Sequence, residues 1–172
     1  MADTLSFDVR AKVAWVFKEA LDLANVIDSG EKEYKYSFAD GTGSSQADKV
    51  WADQRTVTAA ANDDLDLTAL TDSIFGSTRT ISFAKIRGIY IQNTSTTAGE
   101  ELQLDSSVAA SIVAPFAAST TSKLQIPEDS CILLVNKITG WTVTNTTADV
   151  LRITSTGAAS IVYNIAIWGT SA

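Results

Sequence analysis

The sequence predicts an all-β protein, an antiparallel β-sandwich or barrel preceded by an N-terminal α-helix. Three observations carry that prediction. After Gly30 the chain breaks into short runs rich in Val, Ile, Tyr, Phe and Thr, many of them alternating apolar and polar residues. Turn signals separate these runs about every 10 residues, the rhythm of a sandwich or barrel. Helical periodicity is confined to the stretch before Gly30, which argues against a parallel βαβ fold. The expected division is a helical arm over 1–30 and a sandwich over 31–172.

The helix is read over 6–27. Val9, Val13, Val16, Phe17, Ala20 and Ala24 recur at helical spacing, while Lys12, Lys18, Glu19 and Asp22 fall mostly off that stripe. Ser6 or Asp8 caps the start, and "DSG" at 28–30 is a stop. "EYKYSFA" then alternates Tyr34, Tyr36 and Phe38 against Glu33, Lys35 and Ser37, a half-buried strand with an aromatic face. "DGTGSSQ" is a turn. "KVW" and "RTVTA" follow as strands, and "NDDLDL" sets Leu65 and Leu67 against Asp64 and Asp66. "TALTDSIFGSTRT" reads as a loop with a turn at Gly76.

"ISFAKIRGIYIQNTSTTAGEELQL" gives two strands around a turn at 93–99. The apolar phase shifts near Gly88, which points to a bulge or a close backbone approach. The later strands are "SKLQI", "CILLVNK", "WTVTN", "VLRITS" and "SIVYNIAIW". The last is apolar on both faces: Ile161, Tyr163, Ile165 and Ile167 on one, Val162, Asn164, Ala166 and Trp168 on the other. Such a strand is either covered twice or meets another subunit.

Composition excludes several classes of function. The chain has 172 residues, 45% of them apolar and 19% charged, with a net charge of −7. That is the composition of a folded domain, not a disordered one. The 13 basic residues are scattered, so direct nucleic-acid binding is not expected. No apolar run approaches the roughly 20 residues that span a bilayer, and "MADTLSFDVRAK" lacks the apolar core of a signal peptide. A soluble protein made in the cytoplasm, with no membrane partner, is the expectation. The one cysteine, Cys131, rules out an internal disulfide and reads as a small buried hydrophobe. The chain contains no histidine, which removes the usual base for a thiol or hydroxyl nucleophile.

The candidate chemical motifs are weak. Asp63, Asp64 and Asp66 lie close together, but Leu65 and Leu67 take alternate places and no terminal Glu completes a calcium loop. A solvated acidic edge is expected there. Gly41 and Gly43 lack the Lys-Ser/Thr pair of a phosphate loop. Glu100-Glu101 and Glu128-Asp129 are adjacent turn acids, not carboxylates facing across a cleft. Trp51, Trp141 and Trp168 sit in apolar alternation and are expected in cores or interfaces. No catalytic residue, metal ligand or cofactor is assigned, and an enzyme is not expected. The Asn93 and Asn145 sequons are what a Thr-rich chain gives by chance.

Several stretches resemble a family of small tailed-bacteriophage virion proteins. These are "DGTGSSQADKVWADQRTVTAAANDDLDLTALTDSIFG", "ISFAKIRGIYIQNTSTTAGEELQL", "IPEDSCILLVN" and "GWTVTNTTADVLRITSTGAASIVYNIAIWG". The likeness lies in the order of turns and strands over about 34–170. It departs at "IPEDS", where the similar proteins often carry a Pro-Gly-Gly turn, and it leaves out the N-terminal segment. The resemblance implies a jelly-roll-like β-sandwich and a non-enzymatic virion component, and the role expected of it is that of a capsid decoration, or cement, protein. Such a protein sits on the outer surface of the virion head, often as a trimer, and bridges subunits of the major capsid protein. A neck, tail or head-fibre component is the alternative, and a glycan- or receptor-binding sandwich a further one. The residues expected to make contacts are Val9, Val13, Val16 and Phe17 on the N-terminal stripe, and Val162, Ala166 and Trp168 on the last strand.

Overall fold

A computed structural model describes residues 4–20, 25–74, 77–112, 114–116 and 121–172. Every long element among them is a β-strand, and one 3₁₀ turn, Ala114–Phe116, is the only helical piece.

The expected N-terminal helix is replaced by a hairpin. β1 (Phe7–Ala20) pairs antiparallel with β2 (Asn25–Phe38), from Phe7 opposite Phe38 to Ala20 opposite Asn25. Two periods were open to this sequence. The helical one joins Val9, Val13, Val16 and Phe17; the alternating one joins Phe7, Val9, Ala11, Val13, Trp15 and Phe17. The second is unbroken and is built of β-branched and aromatic residues, which strands favour. It also meets a partner that alternates in step, since Tyr34, Tyr36 and Phe38 fall opposite Ala11, Val9 and Phe7. A helix has no use for that aromatic row. Gly30 is accordingly no helix stop but a mid-strand residue opposite Trp15. Residue Ala24 of the supposed stripe lies outside the described residues, as does the connection over 21–24. The arm runs to Phe38, past the expected boundary at 30.

The chain then forms β3 (Lys49–Val57), β4 (Asn62–Asp66), β5 (Leu70–Ile74), β6 (Ser77–Ile81), β7 (Lys85–Asn93) and β8 (Leu102–Asp105). After the 3₁₀ turn come β9 (Lys123–Ile126), β10 (Cys131–Val135), β11 (Trp141–Thr142), β12 (Val150–Ser155) and β13 (Ile161–Thr170). One antiparallel sheet has the order β10-β7-β13-β3, with β11 also on β7; the other has the order β4-β12-β8-β9. The stretch "TALTDSIFGSTRT", read as a loop, contributes instead the paired strands β5 and β6, and the turn expected at Gly76 lies outside the described residues. Its alternation is carried by Thr and Ser, which hides the strand period from an apolar count.

The two sheets enclose one core. Ile86, Ile89, Ile91, Ile165 and Ile167 come from the first sheet and Leu65, Leu102, Leu104, Leu151 and Ile153 from the second, all at most 2% exposed. The phase shift near Gly88 is a bulge. Trp168 faces Gly88 but Gly169 faces Ile86, so Arg87 is the extra residue. That lets Ile86 and Ile89 both point inward. β7 and β8 belong to different sheets, so the turn between them carries the chain across the core. Asn93 pins the crossing from inside, its Nδ2 donating to the carbonyls of Glu100 (2.8 Å) and Ile126 (3.2 Å). Asn93 of that sequon is buried, whereas Asn145 is exposed.

Candidate interaction surface

The arm has two unlike faces. On one, β1 contributes Phe7, Val9, Ala11, Val13, Trp15 and Phe17, and β2 contributes Tyr34, Tyr36 and Phe38, with Lys32 opposite Val13 and Asp28 opposite Phe17 in its outer half. On the other stand Asp8, Arg10, Lys12, Glu31, Glu33 and Lys35. The charges there pair across the strands: Lys12 Nζ to Glu31 at 2.7 Å, Lys35 Nζ to Asp8 at 3.0 Å, Arg10 to Glu33 at 3.9 Å. These pairs are open to water, so they contribute little to stability. Their effect is to balance all the charges of that face but Lys18.

The apolar face is covered only near the sandwich. Phe7 stacks on Phe38 with ring centroids 5.0 Å apart, and both meet the Trp168 ring edge-on. Val9 and Tyr36 join that cluster with Tyr90, Leu133 and Val135. Further out the cover ends. Val13 is 66% exposed, Phe17 61%, Tyr34 61% and Trp15 44%.

The expected contact residues therefore separate. Val9 and Trp168 belong to the contact between arm and sandwich within one chain. Val13, Val16 and Phe17 are exposed on the arm, Val16 on the opposite face from the other two. Val162 is exposed and Ala166 half-buried on the outer side of β13. Sequence reading put Tyr34 on the aromatic face of a half-buried strand and passed over Trp15; strict alternation from Phe7 to Phe17 was the signal that would have found Trp15.

The outer face of the first sheet has an unusual composition. β3 places Val50, Ala52, Gln54 and Thr56 there, β13 places Val162, Asn164, Ala166 and Trp168, and β7 places Gly88, Tyr90 and Gln92. β10 adds Cys131, Leu133 and Val135. None of these residues is charged, in a chain with 33 charged residues among 172. Three carboxamides cross it in a row: Gln54 Nε2 donates to Asn164 Oδ1, and Asn164 Nδ2 to Gln92 Oε1, each at 3.1 Å. Only the strand register reveals this row. Cys131 is exposed at the outward start of the edge strand β10, which corrects its reading as a buried hydrophobe. Its run "CILLV" is apolar, but the core takes Ile132 and Leu134, leaving the odd positions outside.

The chemical candidates resolve into structural parts. Asp63 accepts from Arg55 Nε (2.7 Å) and Nη2 (2.9 Å) and from the Tyr163 hydroxyl (2.7 Å). Burial pushes its carboxyl up, and the bonds from Arg55 and Tyr163 more than reverse this, leaving it below the ordinary value. Burial, then the bond to Asp63, pushes the Tyr163 hydroxyl up. Asp64 takes a two-pronged bond from Arg152, both prongs 2.6 Å. Asp66 accepts from the Thr68 backbone and hydroxyl at 2.8 and 2.6 Å. The three carboxylates thus point to three different partners within the chain. Asp64 and Asp66 stay exposed on the edge strand β4, in line with a solvated acidic edge, and only Asp63 is half-buried. Among the described residues no group of acids or Cys is arranged to hold a metal ion.

Glu100 is also internal, accepting from Ala159 N at 3.1 Å. Trp51 is buried and donates to the Thr71 carbonyl at 2.9 Å, and Trp141 packs half-buried on the core. Arg87 is 2% exposed and donates to the carbonyls of Ile138 (2.5 Å) and Gly43 (2.9 Å), so it ties the Gly41–Gly43 turn to the body. A groove of about 520 Å³ between the N-terminal segment and β6 is lined by Leu5, Asp40, Asp48, Lys49 and Arg79. Its charges are mixed in sign, and it lacks the apolar lining of a small-molecule site. No family model matches the chain, and no curated protein matches it.

Proposed function

We propose that this chain is a non-enzymatic structural protein of a tailed-bacteriophage virion, a capsid decoration protein that binds the outside of the head and bridges subunits of the major capsid protein. The observation that carries the reading is the arm: a ribbon of two 14-residue strands whose outer half presents bare aromatic and aliphatic side chains. Exposed apolar patches of this kind mark surfaces that meet other proteins.

The strand order supports the reading by analogy. Leaving aside the arm, β5, β6 and β11, the remaining strands run β3, β4, β7, β8, β9, β10, β12, β13. All but one of their successive connections, that from β8 to β9, cross between the sheets. This is the jelly-roll sandwich, an architecture shared by viral capsid domains and lectins. Fold alone does not assign a role. The resemblance in the order of turns and strands adds the phage virion. On a shell that offers many equivalent sites, each contact can be weak because neighbours add avidity.

The test is to mix the purified protein with assembled, undecorated heads and with free major capsid protein. Sedimentation with heads in hundreds of copies per particle, and no binding to free capsid subunits, is expected. About a dozen copies per virion would move the protein to the neck or tail.

A further inference from the structure

Two surfaces of this chain lack a cover, and their chemistries match. One is the outer half of the arm's apolar face, Val13, Trp15, Phe17 and Tyr34, where Lys32 and Asp28, of opposite sign, stand beside the apolar side chains. The other is the charge-free outer face of the first sheet on the side of Ala52, Val162 and Ala166. Within one molecule the two chemistries already meet. The inner half of the same arm face, Phe7 and Phe38 foremost, packs on that sheet face around Trp168. Beyond Val9 and Tyr36 the arm no longer touches its own sheet cluster, and both surfaces stay bare. Each 14-residue strand of the arm spans about 45 Å, ample reach for a neighbour. An unsupported two-stranded ribbon is marginal in water, so a cover also stabilises the arm.

Charge points to the same occupant. The paired strands of the arm carry five basic residues (Arg10, Lys12, Lys18, Lys32, Lys35) and five acidic ones (Asp8, Glu19, Asp28, Glu31, Glu33). A ribbon with balanced charge is not steered to a strongly charged partner. It fits an acceptor with no ions to strip of water, and the outer sheet face has none. The rest of the chain is acidic, so two copies repel through other faces and meet at least cost through these.

We propose that the arm of one copy lies on the outer sheet face of a second copy, with Trp15 and Phe17 covering the region of Val162 and Ala166. The contact is heterologous, arm to sheet, and a closing rotation makes it a ring. It goes beyond the virion reading and does not rest on it, because purified protein alone suffices.

The experiment measures mass in solution by light scattering, from micromolar to near-millimolar protein. It compares the full chain, an arm variant (Val13→Glu with Phe17→Glu) and a sheet variant (Ala52→Glu with Ala166→Glu). Far-UV circular dichroism and the melting transition report folding; should the sheet variant lose either, Gln54→Arg with Val162→Arg replaces it. The full chain is expected to be an oligomer, and each variant a monomer with association weakened about thirtyfold or more. Mixing the two variants is expected to give a 1:1 dimer, because one keeps a sound arm and the other a sound sheet. A full chain that stays monomeric overturns the proposal. So does a sheet variant that oligomerises normally, which means that arm pairs with arm, or a mixture that stays monomeric, which means that arm and sheet do not meet.

Discussion

Trp15 and Trp168 are the same local device in two settings. Each lies across a strand pair from a glycine, Gly30 in the arm and Gly88 in the sandwich. At either glycine an added Cβ would collide with the indole ring. An aromatic ring laid over a cross-strand glycine shields the backbone and fixes the register. The settings differ in what lies above the ring. Phe7 and Phe38 close over Trp168, which is 4% exposed; Trp15 is 44% exposed. Register and burial are therefore separate properties. The arm has the pairing of a finished sheet without the second layer that makes a sheet stable by itself.

That contrast can be broken at the sandwich end first. Trp168→Ala is expected to destabilise the whole protein by about 3–5 kcal/mol, as large-to-small changes in a closed core do. It should also free the base of the arm, seen as faster amide exchange in β1 and β2. If global stability holds and only the arm exchanges faster, Trp168 serves the arm and not the sandwich.

Asp63 sets an interior ion pair against the exposed pairs of the arm. Asp63→Asn is expected to cost about 2–3 kcal/mol at neutral pH, since it weakens charged bonds to Arg55 and Tyr163. Its folded pKa lies below the ordinary 3.8, so the native state holds fewer protons than the unfolded one near that pH. The stability it contributes is full above the unfolded value and is lost as pH falls through the folded one. Urea midpoints taken from pH 6 down to pH 2 should fall less steeply for the variant. Lys12→Ala, which removes an exposed arm pair, should change nothing beyond about 0.5 kcal/mol.

Gly88→Ala forces the buried ring of Trp168 to move and is expected to cost about 1–3 kcal/mol. Gly30→Ala makes the same demand of a ring with open water beside it. Its effect on global unfolding should lie within about 0.5 kcal/mol. Equal effects at the two glycines, in a side-by-side thermal melt, would mean that the arm unfolds together with the sandwich.

Much of the sandwich was legible in the sequence. Alternation and turns placed strands at "KVW", "NDDLDL", "CILLV", "VLRITS" and the last strand, and the phase slip at Gly88 announced the bulge. The arm misled because Val9, Val13, Val16 and Phe17 satisfy a helical stripe while Phe7, Val9, Ala11, Val13, Trp15 and Phe17 satisfy alternation. Only the partner strand decides between them, and pairing is not a local property. Asp63, Asp64 and Asp66 looked like one cluster because they are adjacent in sequence. Alternation and differing reach send them to Arg55, Arg152 and Thr68. The charge-free sheet face was half visible in the last strand, whose second apolar side posed the question. Its full extent needed the neighbours β3, β7 and β10, which sequence order scatters along the chain.

The charge balance of the arm bears on the conditions under which copies associate. A contact made mainly by aliphatic and aromatic groups, with the cross-strand ion pairs turned away from it and Lys32 and Asp28 beside it, has little to lose from added sodium chloride. Sulfate should tighten it and cooling should loosen it, because apolar association weakens as temperature falls. A purified sample kept on ice in dilute buffer is thus the one most prone to come apart, and warming it in sulfate is the way to put it back together.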